Sequence, residues 1–266
     1  MMNVSIKQEQ SELVRSAERE KGMTRSNAII TGSNRGIGKA LIKVFAGAEY
    51  NIWACARKAT PEYEAWLQQT AAEANVWIKP VYFELTDPEA LNAGIQSIID
   101  EGLTIDVLVN NAGISTVGLL SMSKVEDIER LFDVNYFAML RIIQKVSKRM
   151  SRQRKGVIIN MGSNAGIAPQ PGKIAYGSSK AAVMMMTQCL AKELGPMGIR
   201  VNAIAPGPIE TEMIHQYKDE VLKSLVSESA LRRLGKTEEI AQVALFLASE
   251  QASYINGEII KVDGGR

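Results

Sequence analysis

The sequence predicts an α/β fold: one doubly wound parallel sheet of about seven strands with helices on both faces. The prediction rests first on short, mostly apolar runs at residues 27–30, 51–56, 76–83, 107–109, 157–160, 200–204 and 258–262. Runs that are apolar throughout, rather than alternating, are what strands covered on both faces require. It rests also on amphipathic stretches between them, at 38–48, 61–74, 88–101, 125–152, 176–194 and 238–248. Strand–helix alternation of this kind builds right-handed crossover units and a parallel sheet. Finally, no repeat, low-complexity tract or linker divides the 266 residues, a length that suits one large domain with a generous core.

The chain opens on residues 1–25, rich in Lys, Arg, Glu, Gln and Ser. Leu13, Val14 and Ala17 could line one side of a short helix starting near Ser11, but that apolar face is thin. A loosely attached extension is expected, with a docking helix as the alternative, and the domain proper at 26–266. From residue 27 to residue 204 strands and helices succeed one another as above. The longest irregular stretch then runs from Pro206 to about Gly235. Its opening, Ala205-Pro206-Gly207-Pro208, cannot continue a strand because proline lacks the backbone donor. A segment so long in a compact domain is usually a lid or binding loop, here with one or two short helices within 210–226.

Composition narrows the function classes. Apolar residues make up 46% and charged residues 23%, and the net charge of +2 gives no reason to expect nucleic acid or a membrane surface. No apolar stretch approaches the roughly 18–20 residues that span a bilayer. The N-terminus lacks the apolar core of a signal peptide, so a cytoplasmic setting is expected. Cys55 and Cys189 sit in apolar runs without metal-ligand spacing and read as buried free thiols. His215 is the one histidine, so no metal site is expected.

The first strand runs directly into Thr31-Gly32-Ser33-Asn34-Arg35-Gly36-Ile37-Gly38, which opens an apolar-periodic helix. Glycines at 32, 36 and 38 permit a tight turn and let backbone N–H groups approach a pyrophosphate at the helix N-terminus. A glycine-rich run alone is turn chemistry. In this strand–turn–helix context it reads as a dinucleotide cradle.

Gly-x-x-x-Gly-x-Gly after Thr departs from the Gly-x-Gly-x-x-Gly of ordinary dinucleotide folds and resembles the short-chain dehydrogenase/reductase family. Asn110-Asn111-Ala112-Gly113 follows the fourth strand, where that family has its NNAG motif. Asn135 lies in the next helix at the place of the family's structural and catalytic asparagine. Ser163 stands thirteen residues before Tyr176, and Tyr176-Gly-Ser-Ser-Lys180 resembles the family's Tyr-x-x-x-Lys. Pro206-Gly207 matches the family's PG, and the resemblance covers roughly residues 26–265. It implies a nicotinamide cofactor held by Gly32 to Gly38, by Asn111, Ala112 and Gly113, by Tyr176 and Lys180, and by Pro206 and Gly207. Ile209 is expected to contact the carboxamide through its backbone, and Thr211 through its side chain. Glu84-Leu85 is similar to the family's adenine-contacting Asp-Val/Leu pair, with glutamate in place of aspartate.

Charge selects the cofactor. An NAD-specific fold puts a carboxylate at the end of the second strand to bind the ribose 2′-hydroxyl. Here that strand ends Ala54-Cys55-Ala56-Arg57-Lys58, with no acid. Arg35 and Arg57 could together clamp a 2′-phosphate, which guanidinium matches in a bidentate way, so NADP(H) is expected. The alternative is two solvated surface arginines.

Tyr176 and Lys180 lie one helical turn apart and share a face. A tyrosine of pKa about 10 is a poor acid–base catalyst near neutrality, and a neighbouring ammonium favours its phenolate. Tyr176 can then pass a proton to a developing alkoxide, while Ser163 holds the carbonyl oxygen where negative charge develops. By resemblance, Lys180 also binds the nicotinamide ribose, and Asn135 holds a water that relays protons to the lysine. The loops at 164–174 and 114–120 and the stretch after Gly207 would admit the substrate. They read as short on charge, so a neutral or modestly polar ketone is expected. Met184, Met185 and Met186 read as packing or interface residues.

The tail from Arg233-Leu234-Gly235 to Val262-Asp263-Gly264-Gly265 is most similar to the 3-oxoacyl-[acyl-carrier-protein] reductases, and many sugar, polyol and steroid dehydrogenases share it. Three functions stay open: reductase of a β-ketoacyl thioester, dehydrogenase of a sugar, polyol or other secondary alcohol, and a non-catalytic dinucleotide sensor. Loss of Tyr or Lys would favour the last, and both are present. The resemblance implies a homo-oligomer, tetramer or dimer, pairing the two long helices. An acyl carrier protein would need a basic landing patch, and Arg141, Lys145, Lys148, Arg149, Arg152, Arg154 and Lys155 offer one. Arg154 falls where the carrier-protein reductases keep one docking arginine, but their second aligns with Met197. A solvated helix end explains the same basic run.

Overall fold

The structure, a computed structural model, describes residues 25–212, 214 and 219–266. The expected N-terminal extension, apart from Arg25, lies outside the described residues, and so does His215. Seven strands form one parallel sheet: β1 (Asn27–Thr31), β2 (Asn51–Ala56), β3 (Ile78–Tyr82), β4 (Val107–Asn110), β5 (Gly156–Met161), β6 (Ile199–Pro206) and β7 (Ile259–Val262). Their spatial order is β3-β2-β1-β4-β5-β6-β7. The order reverses between β1 and β4, and at such a switch point ligands bind beyond the carboxyl ends of the strands.

The helices are α1 (Gly36–Gly47), α2 (Pro61–Ala74), α3 (Pro88–Asp100), α4 (Val125–Phe132), α5 (Ala138–Gln153), α6 (Ile174–Leu194), α7 (Asp219–Glu228) and α8 (Thr237–Ala248). Local chemistry sets their starts. Thr60 caps α2 by accepting from Tyr63 N, and Asp87 caps α3 by accepting from Glu89 N and Ala90 N; a proline follows each cap. Leu41 and Phe45 of α1 with Ile240 and Leu247 of α8 bury one sheet face. Ile95 of α3, Ile142 of α5 and Val183 of α6 bury the other. Each such side chain stabilises the sandwich by about 1.5–3 kcal/mol.

A polar thread crosses the second of these layers. Asn110 Nδ2 donates to Asn160 Oδ1 at 2.9 Å, and Asn160 Nδ2 donates to Thr187 Oγ1 at 3.0 Å, all three residues being buried. It pins β4, β5 and α6 in one register, because a slip would strand buried amides without partners.

The structure departs from the sequence reading in two elements. The helix expected at 125–152 is α4 and α5 joined by a π turn, Asp133–Phe137, and no glycine or proline marks the break. Cys55 is buried as expected, whereas Cys189 is exposed on α6. The apolar neighbours that suggested burial, Met186 and Leu190, turn inward at helical spacing and leave Cys189 outside.

The irregular stretch after β6 contains α7. Its two ends meet: Ile209 bridges Gly235, Glu210 N donates to Gly235 O at 2.8 Å, and Gly235 N donates to Pro208 O at 3.0 Å. No helix among the described residues is long and apolar enough to cross a membrane.

Candidate active site

Beyond the carboxyl ends of the central strands lies a cleft of about 720 Å³. That is the size of ordinary cofactor and substrate pockets, roughly 300–1,000 Å³. Its floor is the glycine loop. Gly32 has φ 64°, and a Cβ there would stand 2.8 Å from Ala112 Cα. A Cβ on Gly38 would stand 1.9 Å from Gly32 O, so only glycine lets α1 start against the turn. The loop after β4 is stapled to this turn. Thr31 Oγ1 accepts from Asn111 N and Ala112 N at 3.0 and 3.1 Å, and Asn111 Nδ2 donates to Thr31 O and Gly32 O. Asn111 thus shapes the cleft through its side chain.

Most of the expected cofactor residues line this one cleft: Gly32, Asn34, Arg35, Gly36, Ile37 and Gly38 on the loop, Arg57 past β2, and Glu84 and Leu85 past β3. Asn111, Ala112, Gly113, Pro206, Gly207, Ile209 and Thr211 complete it. Ser33 does not line it. Its hydroxyl donates to Cys55 O at 2.9 Å and shares a hydrogen with Tyr63 OH at 2.6 Å, fully buried. Burial raises the pKa of that Tyr63 phenol, so the pair is structural. The Arg35 guanidinium stands 3.6 Å from Glu212, both exposed, a pairing worth little in water.

Lys180 is set into the cleft wall, 3% exposed, and its ammonium donates to Met161 O at 2.7 Å. Burial lowers its pKa to about 8. Its Nζ is 5.8 Å from the Tyr176 ring centroid, close enough for the ring and the charge to feel each other. Ser163 leaves β5 in extended conformation and caps the short turn Asn164–Gly166, its Oγ accepting from Ala165 N at 3.2 Å. Tyr176, Lys180 and Ser163 all reach the cleft.

Asn135 does not reach it. The π turn points the fully buried amide at Ile114: Oδ1 accepts from Ile114 N, and Nδ2 donates to Ile114 O, both at 2.9 Å. Nδ2 also donates to Ser179 Oγ at 3.1 Å, and Ser179 Oγ donates to Tyr176 O at 2.8 Å. Ser179 was not singled out from the sequence, although its place three residues after Tyr176 on a helix carried the signal.

The loops themselves bring one cation to the cleft, Lys173, and Arg130 of α4 and Arg266 beyond β7 add two more. Lys173 Nζ lies 5.6 Å from the Tyr176 ring centroid. Spacing along the chain could not bring Arg130 and Arg266, the latter paired with Glu228, to one cleft; only the fold does.

A glycine cradle at a helix start, opening beside a tyrosine with a buried lysine, is the equipment of a dinucleotide-dependent oxidoreductase. Residues 31–266 match the family model described as enoyl-(acyl carrier protein) reductase. The 3-oxoacyl-[acyl-carrier-protein] reductase of Thermotoga maritima is 39% identical over 89% of this chain and 96% of its own. The 3alpha-hydroxysteroid dehydrogenase of Mediterraneibacter gnavus is 38% identical over 89% of this chain and 95% of its own. A solved 3-oxoacyl-[acyl-carrier protein] reductase with bound NAD from Brucella melitensis superimposes with TM-score 0.79 at 33% identity, covering 90% of each chain. The chain belongs to the short-chain dehydrogenase/reductase family of nicotinamide-dinucleotide oxidoreductases.

Proposed function

We propose that the protein is an NADPH-dependent reductase that converts a ketone to a secondary alcohol with Tyr176 as general acid. The carrying observation is the meeting of Ser163, Tyr176 and buried Lys180 in the cleft that the glycine loop floors. When bound, the cofactor supplies a hydride to the carbonyl carbon. Tyr176 gives its phenolic proton to the carbonyl oxygen, Ser163 Oγ donates a hydrogen bond to that oxygen, and the Lys180 ammonium favours the phenolate left behind. Asn135, held by Ile114 and Ser179, keeps the wall behind Lys180 in place and is the proposed anchor of a proton-relay water. Arg57, with Arg35, reads the 2′-phosphate, since β2 ends without a carboxylate.

Two relatives are 3-oxoacyl-[acyl-carrier-protein] reductases, which supports a 3-oxoacyl thioester as one substrate class. The hydroxysteroid dehydrogenase relative supports the second reading, oxidation of a secondary alcohol by the same residues. Docking of an acyl carrier protein has weaker support: Arg149 donates to Gly102 O and Leu103 O, and Lys155 pairs with Glu250, so the basic run is partly spent within the fold. The remaining parts of the proposal are a cytoplasmic homo-oligomer and a catalytic domain at 26–266, after an N-terminal extension that is dispensable for chemistry.

The test is steady-state reduction of a ketone and thioester panel with NADPH and NADH. Tyr176→Phe is expected to lose at least about 10²–10⁴-fold in kcat with NADPH binding retained. Arg57→Ala is expected to weaken NADPH and spare NADH. Activity of Tyr176→Phe within a few-fold of wild type removes the tyrosine from the mechanism; equal weakening of both cofactors removes Arg57 from the phosphate.

A further inference from the structure

Ser163 leaves β5 on a short turn, and three contacts fix that turn. Gly162 N donates to Ile204 O at 2.7 Å, so β6 holds the chain up to the serine. Helix α6 packs against the turn at backbone distance: a Cβ on Gly177 would stand 2.6 Å from Ala165 O, and a Cβ on Gly166 would stand 2.7 Å from Ala181 N. The third contact comes from 99 residues away. Asn164 Nδ2 donates to Oδ2 of Asp263, the residue after β7, at 2.6 Å. Neither the glycine cradle nor the tyrosine–lysine pair uses this bond.

Asp263 is built into its place. Its side chain is 6% exposed, its Oδ1 accepts from Gly265 N at 3.0 Å, and Lys261 Nζ stands 3.2 Å from Oδ2. Burial works against the charge, but hydrogen bonds from Asn164, Gly265 and Lys261 outweigh it and hold the carboxyl below its usual pKa, so it is ionised at neutral pH. A carboxylate only accepts, which fixes the Asn164 amide with Nδ2 toward Asp263. The same residue backs the cofactor end of the cleft. Gly207 N donates to Val262 O at 3.0 Å, and a Cβ on Gly207 would stand 2.7 Å from Asp263 Cα. Asp263 thus touches both the Pro206-Gly207 segment and the serine turn, while not lining the cleft itself.

The path from Asp263 to the serine hydroxyl is short. Ser163 Oγ accepts from Ala165 N at 3.2 Å, which fills one lone pair and leaves the hydroxyl proton for a carbonyl oxygen. The direction of that N–H follows the backbone of Asn164, which the bond to Asp263 anchors. We propose that Asp263, acting through Asn164, is a positioning residue that sets the aim of the Ser163 hydroxyl. The proposal rests on the reductase reading above and adds to it a residue that touches neither substrate nor cofactor. Such aim matters, because a misplacement of about 1 Å at a reacting group can cost about 10²-fold in rate.

The experiment places Asn164→Ala and, separately, Asp263→Asn in wild-type and Ser163→Ala backgrounds of the full-length protein. It measures kcat and KM for the ketone that turns over best, NADPH Kd and the urea midpoint. With Ser163 present, each variant is expected to lower kcat about 10-fold, within the worth of one hydrogen bond to a charged group, with NADPH Kd nearly unchanged. With Ser163 already replaced, neither is expected to lower kcat further, because the group they aim is gone. Asn164→Asp, which sets two carboxylates face to face, is expected to lose at least as much, and the double variant Asn164→Asp/Asp263→Asn to recover part of the loss. Equal losses in the two backgrounds overturn the proposal, since the tie would then serve the fold at large or Asn164 would meet the substrate directly. Unchanged kcat in both single variants overturns it as well. If Asn164→Ala does not fold, Asp263→Asn, which keeps the size of the side chain, decides by the same comparison. If Ser163→Ala turns over like wild type, or if no ketone is reduced although NADPH binds, the reductase reading falls at the serine or as a whole, and the positioning role falls with it.

Discussion

At the scale of single residues, burying Lys180 carries a cost. An ammonium taken out of water without a carboxylate beside it destabilises the fold, and its lowered pKa of about 8 expresses that cost. In the unfolded chain a lysine keeps its proton to about 10.4. Below pH 8 both states are protonated and the folded protein bears the whole penalty, roughly 3 kcal/mol. As pH rises from 8 toward about 10.4 the folded state sheds the proton first, and stability rises. Lys180→Met is therefore expected to abolish turnover and yet raise the urea midpoint at pH 7, less what Met161 O loses with its donor. The gain should shrink by pH 9.5. A lower midpoint at pH 7 would mean that the bond to Met161 O outweighs burial. Residues of this kind were legible because backbone contact and charge demand particular types: glycine at 32, 36 and 38, and tyrosine and lysine one turn apart. Ser33 and Lys173 were not. Whether Ser33 faces a ligand or Tyr63, and whether Lys173 faces solvent or a phenol, depends on neighbours 30 residues away or on the exit angle of a loop.

At the scale of elements, the π turn at Asp133–Phe137 does what a regular helix could not. It widens one turn so that the Asn135 amide meets both backbone groups of Ile114 and the Ser179 hydroxyl. Such turns collect at functional sites because they sacrifice regular hydrogen bonds for the placement of one side chain. Ser179 links that amide to the first turn of α6 and acts as a positioning residue for Tyr176. Ser179→Ala is expected to lower kcat by about 5- to 10-fold, the worth of one hydrogen bond, with KM nearly unchanged, and Ser179→Thr to recover most of the loss. A general loss of folding would move KM and the urea midpoint as well, and would show a structural part only. The sequence revealed one helix running through residue 135 but not the break, because apolar periodicity runs on through it without a glycine or proline. A side chain's demand for two backbone partners leaves no mark on the residues that precede it.

At the scale of the molecule, the doubly wound parallel sheet that makes the cleft was readable, since alternation of apolar runs and amphipathic helices admits few topologies, whereas the strand order came from the structure. How the protein meets its copies was not readable, because that surface is set by which apolar residues stay outside. Phe137, Met185 and Val125 are exposed, on or beside the helices that the family resemblance would pair. A tetramer or dimer is expected in solution, and Met185→Arg is expected to shift it toward smaller species in light scattering, since an uncompensated charge in a self-complementary contact is doubled by symmetry. An unchanged mass would place the contact elsewhere. The bridge between Ile209 and Gly235 carries a different consequence. The bridge closes the base of the insert outside the strands, so the interior of the insert can vary while the sheet keeps its register, provided that the ties of Ser229 and Leu231 to Gly264 O and of Glu228 to Arg266 are kept. Relatives that share the glycine floor and the tyrosine can diverge in what they accept by swapping this insert alone, and grafting it between them is a direct way to move substrate range from one to another.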